Sequence, residues 1–258
     1  MRSIAATMVA ITVAVALVAV WLVARTVAFS PSFINCSRDD CCNLYQVTER
    51  MDRFFRKHDI PYVLAYGSHI GARRCTPPGP MSWDDDVDTI ILERDEPRFR
   101  AALERDREEL GRDLRWQDTR AEPYDFGWQF AMNDDRLASG RASKKAFVYD
   151  VFVFRYRADE RLWRGEQEHH CTFRTEDELF PARHVPFWNL ELPIPRRGDA
   201  LLKRWYGPRV LTHAKLYNHR IKPFVSNILA GPEIDLRKRQ NRRWRRSIPL
   251  DPSLVSFT

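Results

Sequence analysis

The sequence predicts a mixed α/β domain preceded by one membrane-crossing helix, and three observations carry that expectation. Residues 4–24 contain no charge, no Gly and no Pro. Helical apolar spacing occurs over residues 44–58 and 199–206, and strand-like apolar runs occur over residues 62–66, 84–92 and 146–154. Helices and strands that intermix along a chain belong to the α/β or α+β class. The length of 258 residues suits one good-sized domain with a small appendage, and 44% hydrophobic with 30% charged residues fits a folded chain.

The N-terminal run is long enough to cross a bilayer. Its 21 residues span about 31 Å as a helix, against a hydrocarbon core of about 30 Å. A cleaved leader has a shorter apolar run, and a soluble core helix would keep a polar face. An uncleaved signal anchor is therefore expected. Arg2 and Arg25 flank it evenly, so charge does not orient it. The three residues before it favour a short cytoplasmic stub and a lumenal body. The net charge of +7 equals the charge of residues 237–246 alone, which hold seven basic and no acidic residues. The body is thus neutral and the tail basic. A lumenal tail excludes nucleic acid as a partner and leaves acidic glycans, lipid headgroups or plain solvation. Cys36, Cys41, Cys42, Cys75 and Cys171 allow two disulfides and one thiol in an oxidising lumen; small buried cysteines are the alternative. Asn35-Cys36-Ser37 is a formal glycosylation triplet.

The organisation expected is a stub (1–3), an anchor (4–24), a stem (25–43), a catalytic domain (44–232) and a basic tail (233–258). Within the domain, Leu44, Val47, Met51, Phe54 and Phe55 recur at helical spacing. Pro61 closes that helix, and residues 62–66 read as a buried strand. Gly67-Ser68 punctuates it, and a short helix is expected over 69–74. Residues 76–80 are too rich in Pro and Gly for either element. Residues 97–110 suggest one charged, exposed helix. Residues 181–195 suggest irregular chain with short strands, and residues 199–206 a helix ended by Gly207-Pro208.

Three features carry chemistry. If residues 84–92 are extended, Asp84, Asp86 and Asp88 share a face with Ile90 and Leu92. Like charges on one face repel unless a cation sits among them. Hard divalent ions such as Mg²⁺ or Mn²⁺ suit carboxylate oxygens and leave positions for phosphate. A solvated acidic turn is the alternative, but the run leads straight into an apolar strand. Asp150 lies inside the run Ala146–Phe154 (AFVYDVFVF) with Phe152 and Phe154 on its face, so burial requires a partner. That partner is a metal or a salt bridge from Lys144 or Lys145. Third, a strand, then Gly67-Ser68, then a helix presents N–H groups and a hydroxyl to a phosphate, sixteen residues before Asp84. Arg73 is a candidate phosphate contact or a surface ion pair. His169-His170 diverge in an extended chain and are read as no metal pair.

Taken in order, Tyr66-Gly67-Ser68-His69-Ile70-Gly71-Ala72-Arg73 and then Trp83-Asp84-Asp85-Asp86-Val87-Asp88 closely resemble the LicD family, which includes fukutin and the fukutin-related protein. The family shows G-[GST]-x-L-x-G-A-x-R followed by P-W-D-x-D-[IV]-D. Asp150-Val151-Phe152, Leu179-Phe180-Pro181, Leu192-Pro193-Ile194-Pro195 and Leu202…Trp205-Tyr206-Gly207 resemble its later segments. The resemblance covers roughly residues 44–208. It implies a nucleotidyltransferase-like fold: a mixed sheet flanked by helices, with nucleotide phosphates at Gly67 and Ser68. It further implies two metals held by Asp86 and Asp88 with Asp150 as third carboxylate. Asp84 is a candidate supporting carboxylate or base. The implied activity moves a phospho-alcohol, such as phosphocholine or a polyol phosphate, from a CDP-activated donor to a glycan or glycolipid hydroxyl. The eukaryotic relatives are anchored Golgi or endoplasmic reticulum proteins. Two readings remain beside it: an Asp-x-Asp glycosyltransferase, and a non-catalytic lumenal partner of a glycan-modifying enzyme. The chain departs from the family in a longer Pro-rich spacer after Arg73, in Arg74 where His is common, and in Ser82 where Pro precedes Trp.

Overall fold

The computed structural model describes residues 2–30, 38–120, 127–133, 148–165, 171–216 and 233–237. The N-terminal helix α1 (Arg2–Ala28) is apolar all round, and its stretch Thr7–Ala28 is long and apolar enough to cross a membrane. It runs four residues beyond the expected anchor. The first helix of the body, α2 (Arg38–Lys57), starts inside the segment expected to be stem. Its apolar stripe faces inward. It ends in a turn where Asp59 (φ 51°) is left-handed, with the Asp59 and Ile60 N–H groups donating to the carbonyls of Arg56 and Phe55. That pattern satisfies the last carbonyls of a helix.

The strand expected over 62–66 is two residues long, β1 (Val63–Leu64), because Tyr66 already begins α3 (Tyr66–Arg74). Then come β2 (Asp86–Leu92), α4 (Glu96–Arg105) and α5 (Arg107–Asp113). The single exposed helix expected over 97–110 is thus two helices, and Phe99, Ala102 and Leu103 are buried. The break falls at Asp106, whose carboxylate accepts from His58 Nε2 (2.7 Å) and pairs with Lys57 (2.8 Å) on α2. The sheet continues with β3 (Leu114–Asp118), β4 (Gly127–Met132), β5 (Val148–Arg157) and β6 (Leu162–Arg164). Residues 181–195 form a hairpin of β7 (Arg183–Phe187) and β8 (Leu190–Ile194). Helix α6 (Gly198–Tyr206) stops at Gly207, and β9 (His213–Lys215) pairs with β10 (Glu233–Asp235).

The main sheet has the order β1-β2-β5-β4-β3, with β6 on β5. Strands β2 and β5 are parallel and the other pairs antiparallel, which is the mixed sheet the sequence predicts. One face carries Val87, Ile91, Tyr149, Val151 and Val153 against Phe54 and Phe55 of α2 and Phe99 of α4. The opposite face carries Ile90, Leu92, Phe152 and Phe154 against Phe173, Leu179 and Leu201. Strand alternation therefore puts Asp86, Asp88 and Asp150 on the second face, at the end where its apolar cover stops. Ala28 and Phe29, at the end of α1, pack on a third apolar cluster with Ile70, Met81, Trp83 and Val210.

Candidate active site

The parallel pairing of β2 with β5 sets Asp88 directly beside Asp150. Asp86, two residues earlier, shares their face. One carboxylate oxygen from each of these three residues lies within 4.8 Å of the others. Asp88 and Asp150 are buried and Asp86 is half-buried. Two full charges at this separation repel by about 3 kcal/mol at an effective dielectric of about 20, so three ionised groups need a cation or a proton. Asp150 shows the consequence. Burial first, and the Asp86 charge second, push its carboxyl up from 3.8 to about 8, although a hydrogen bond from Gln129 opposes the rise. Three hard oxygen donors on adjacent, sheet-locked backbones fit a divalent ion of the Mg²⁺ or Mn²⁺ class.

The turn that precedes α3 is tied to these carboxylates. The Ala65 N–H donates to the Asp88 carbonyl (2.9 Å), and the Asp88 N–H donates to Ser68 Oγ (2.8 Å). Tyr66 takes φ +40° at the turn, a conformation that costs a non-glycine residue of order 1 kcal/mol or more. Its ring meets Phe152 edge-on at 4.9 Å. A Cβ at Gly67 would stand 2.9 Å from Asp84 Oδ2, so a side chain there would have to displace the Asp84 carboxylate. One turn on, a Cβ at Gly71 would stand 2.3 Å from the Gly79 carbonyl oxygen. Gly71 thereby seats the Pro-rich loop against α3.

Of the residues singled out in the sequence, Asp86, Asp88 and Asp150 come together, and Gly67 and Ser68 adjoin them. Asp84 does not belong to the three-carboxylate group. The strand begins at Asp86, two residues later than expected, because Asp84 closes a turn whose N–H donates to the Met81 carbonyl (2.9 Å). Asp84 is buried beside Gly67 instead. Arg73 pairs with Asp199 at the surface: its Nε and Nη2 reach the two carboxylate oxygens at 2.7 and 3.1 Å. Lys144, Lys145, His169 and His170 lie outside the described residues, as does the tail from residue 238.

Sequence reasoning missed Gln129. Its Nε2 donates to Asp150 Oδ1 (3.0 Å) from the register partner of Asp150 on β4. The signal was one polar residue between Trp128 and Phe130. It also missed His69, which is buried and, among the described residues, has no hydrogen-bond partner for either ring nitrogen. Burial holds the His69 ring near a pKa of about 3, so it is neutral.

The LicD/FKTN/FKRP nucleotidyltransferase domain matches residues 59–197 of the chain. Uncharacterized protein RT0683 of Rickettsia typhi is 24% identical over 196 residues, covering 74% of this chain and 55% of the relative. The chain therefore spans about half the length of that curated relative. Among solved structures, ANT(2'')-Ia in complex with adenylyl-2''-tobramycin aligns over 58% of this chain and 67% of its own, at 13% identity and a TM-score of 0.36. The lincosamide antibiotic adenylyltransferase LnuA, with lincomycin bound, aligns over 65% and 85%, at 10% identity and a TM-score of 0.34. Likenesses this slight say nothing about activity.

Proposed function

Since the chain belongs to the LicD family of nucleotidyltransferase domains, we propose that it is a metal-dependent transferase. In this reading it moves a phospho-alcohol group from a CDP-activated donor to a glycan hydroxyl in the secretory pathway. One observation carries the proposal: three carboxylates from two adjacent parallel strands converge within 4.8 Å beside a Gly-Ser turn. The family match supports a transferase; the donor and acceptor are the finer part of the proposal.

Asp86, Asp88 and Asp150 would hold the ion, which when bound offsets charge on the donor phosphates. Gly67 and Ser68 would present N–H and hydroxyl donors to the same phosphates. The acceptor oxygen then bonds to the phosphorus bearing the alcohol, and the bond to cytidine monophosphate breaks in line. The acceptor proton passes to a carboxylate, either Asp150 or the neighbouring Asp84. The catalytic portion, residues 44–232, would face the lumen of the Golgi or endoplasmic reticulum, tethered by α1.

The test is incubation of the full chain with a panel of CDP-alcohols and Mg²⁺ or Mn²⁺, with acceptor glycans read by mass spectrometry. Asp86→Ala and Asp88→Ala should abolish transfer with the fold intact. Turnover retained in either variant would remove the site. Stabilisation by UDP- or GDP-sugars in place of CDP donors would favour an Asp-x-Asp glycosyltransferase. A stable fold that binds no nucleotide would favour a non-catalytic partner.

A further inference from the structure

A cavity of about 520 Å³ opens beside the Gly67 turn, and among the described residues its walls carry Arg74, Arg209 and Lys215 against one carboxylate, Glu233. They include Gly67, Arg74 and Met81 from the α3 region and Val210, His213 and Lys215 from the β9 region. Arg74 is only 7% exposed. Its guanidinium donates to the carbonyls of Val210 (3.0 Å) and His213 (2.8 Å) and touches the Met81 sulfur. Among the described residues no carboxylate pairs with it. Glu233, itself on the cavity wall, pairs with the wall residue Arg209 at 3.1 Å; Asp235 pairs with Arg237 at 2.9 Å and stands 3.9 Å from His213; and Asp84 acts on the Arg74 charge through space.

Carbonyl acceptors satisfy N–H groups but carry no full counter-charge, and Asp84 offsets the guanidinium only through space. Buried charges are ordinarily paired, because an unpaired one is costly. With Nη1 spent on two carbonyls, a buried guanidinium on a cavity wall, touched by no carboxylate among the described residues, still has remaining N–H groups and its charge to offer a phosphate oxygen. Lys215 is exposed and adds a second cation at the mouth.

We propose that this cavity is a phosphate subsite, in which Arg74 and Lys215 receive the pyrophosphate or phosphodiester group of a substrate. The assignment deepens the transferase reading and rests on it for the substrate's role, but not for the binding itself. Two sources share this chemistry. Soluble nucleotides carry a pyrophosphate. So do lipid-linked intermediates, and Ile70, Met81 and Val210 of the cavity wall also contact the cluster that seats the end of α1.

The experiment uses the full chain in lipid nanodiscs, with EDTA present and the Asp86→Ala substitution throughout, so that the metal centre contributes nothing. Inorganic pyrophosphate is titrated by calorimetry. Saturable binding is expected. Arg74→Met should weaken it about tenfold or more, the scale of a charged hydrogen bond. Lys215→Gln, at an exposed site that leaves the fold intact, should weaken it roughly threefold, the scale of an exposed charge pair. If Arg74 were only a strut between α3 and β9, Arg74→Met would lower Tm and Lys215→Gln would leave affinity unchanged. That result, or no pyrophosphate binding at all, overturns the proposal. Competition then identifies the source: displacement by CDP marks a nucleotide, and displacement by vesicles carrying a long-chain alkyl pyrophosphate marks a lipid headgroup. Displacement by neither overturns it. A chain that binds pyrophosphate yet transfers nothing would instead remove the transferase reading alone.

Discussion

Replacing Asp150 with Asn separates what this carboxyl costs the metal-free fold from what it gains by holding an ion. In the folded chain its pKa is raised from 3.8 to about 8, by burial first and Asp86 second. In the unfolded chain it ionises near 4. Between roughly pH 4 and pH 8, then, the folded form keeps a proton that the unfolded form has lost, and metal-free stability falls as pH rises through that window. At about 1.4 kcal/mol per pH unit the fall sums to on the order of 5 kcal/mol. His69 acts in the opposite sense. Its pKa of about 3 in the fold lies below the usual 6.5, so its burial costs stability at low pH and that cost is relieved as pH rises to about 6.5. The readout is therefore the difference between wild type and Asp150→Asn, in which the His69 contribution cancels. Calorimetric Tm is measured on the full chain in detergent with EDTA from pH 5 to 8.5. At about 2–4 °C per kcal/mol for a chain of this size, Asp150→Asn should gain on the order of 10 °C over wild type as pH rises to 8. Adding Mg²⁺ at a hundred times its Kd contributes about 2.7 kcal/mol, which should restore wild type by about 5–10 °C at pH 8 and Asp150→Asn by little. A difference that stays constant with pH, or an equal response of both chains to Mg²⁺, would refute the reasoning.

Gln129→Leu removes the hydrogen bond that holds the Asp150 pKa down. Metal affinity at pH 7 should drop about tenfold, the scale of losing a neighbour that orients a ligand, as read by Mn²⁺ electron paramagnetic resonance. Gly71→Ala drives a Cβ to 2.3 Å from the Gly79 carbonyl oxygen. Both groups are backbone, so α3 or the loop must shift, and Tm should fall by several degrees, on the scale of about 1–3 kcal/mol for overpacking. Arg73→Ala breaks a half-exposed pair with Asp199, which should cost under about 1 kcal/mol and leave transfer largely intact. A large loss of turnover at unchanged Tm would instead support a phosphate contact at Arg73.

The local parts of the site were legible because strand periodicity is local. Asp86 and Asp88 had to share a face with Ile90 once the run was extended, and the burial of Ile90 and Leu92 on the Phe152 face agrees. Where the strand starts was not legible. Alternation alone puts Asp84 on the same face, because nothing in the residue types marks the turn from Met81 that delays β2 by two residues. The break between α4 and α5 was hidden for a similar reason. It coincides with contacts to Asp106 from Lys57, at the end of α2, and from His58 just after it. Asp150 was singled out by an apolar context that makes an isolated carboxylate expensive. Its partnership with Asp88 was implied only by resemblance, since the register that joins them links residues far apart in sequence. Gln129 needed that same sheet order and one strand more.

The Gly-Ser turn links these two kinds of legibility. Spacing could say only that Ser68 comes shortly before an acidic strand. In the fold, Ser68 Oγ accepts the Asp88 N–H, so the hydroxyl fixes the backbone of a site carboxylate. Accepting that bond uses a lone pair and leaves the hydroxyl proton to donate. One side chain can therefore hold Asp88 in register and still offer a hydrogen bond to a phosphate oxygen. Ser68→Ala and Ser68→Cys tell these roles apart. Alanine orphans a buried N–H, at a cost of about 1–3 kcal/mol, and should lower both Tm and turnover. Cysteine keeps a weaker acceptor and a poor donor. If phosphate binding matters, cysteine should recover more Tm than turnover. Equal recovery of both would mean that Ser68 acts only by holding Asp88.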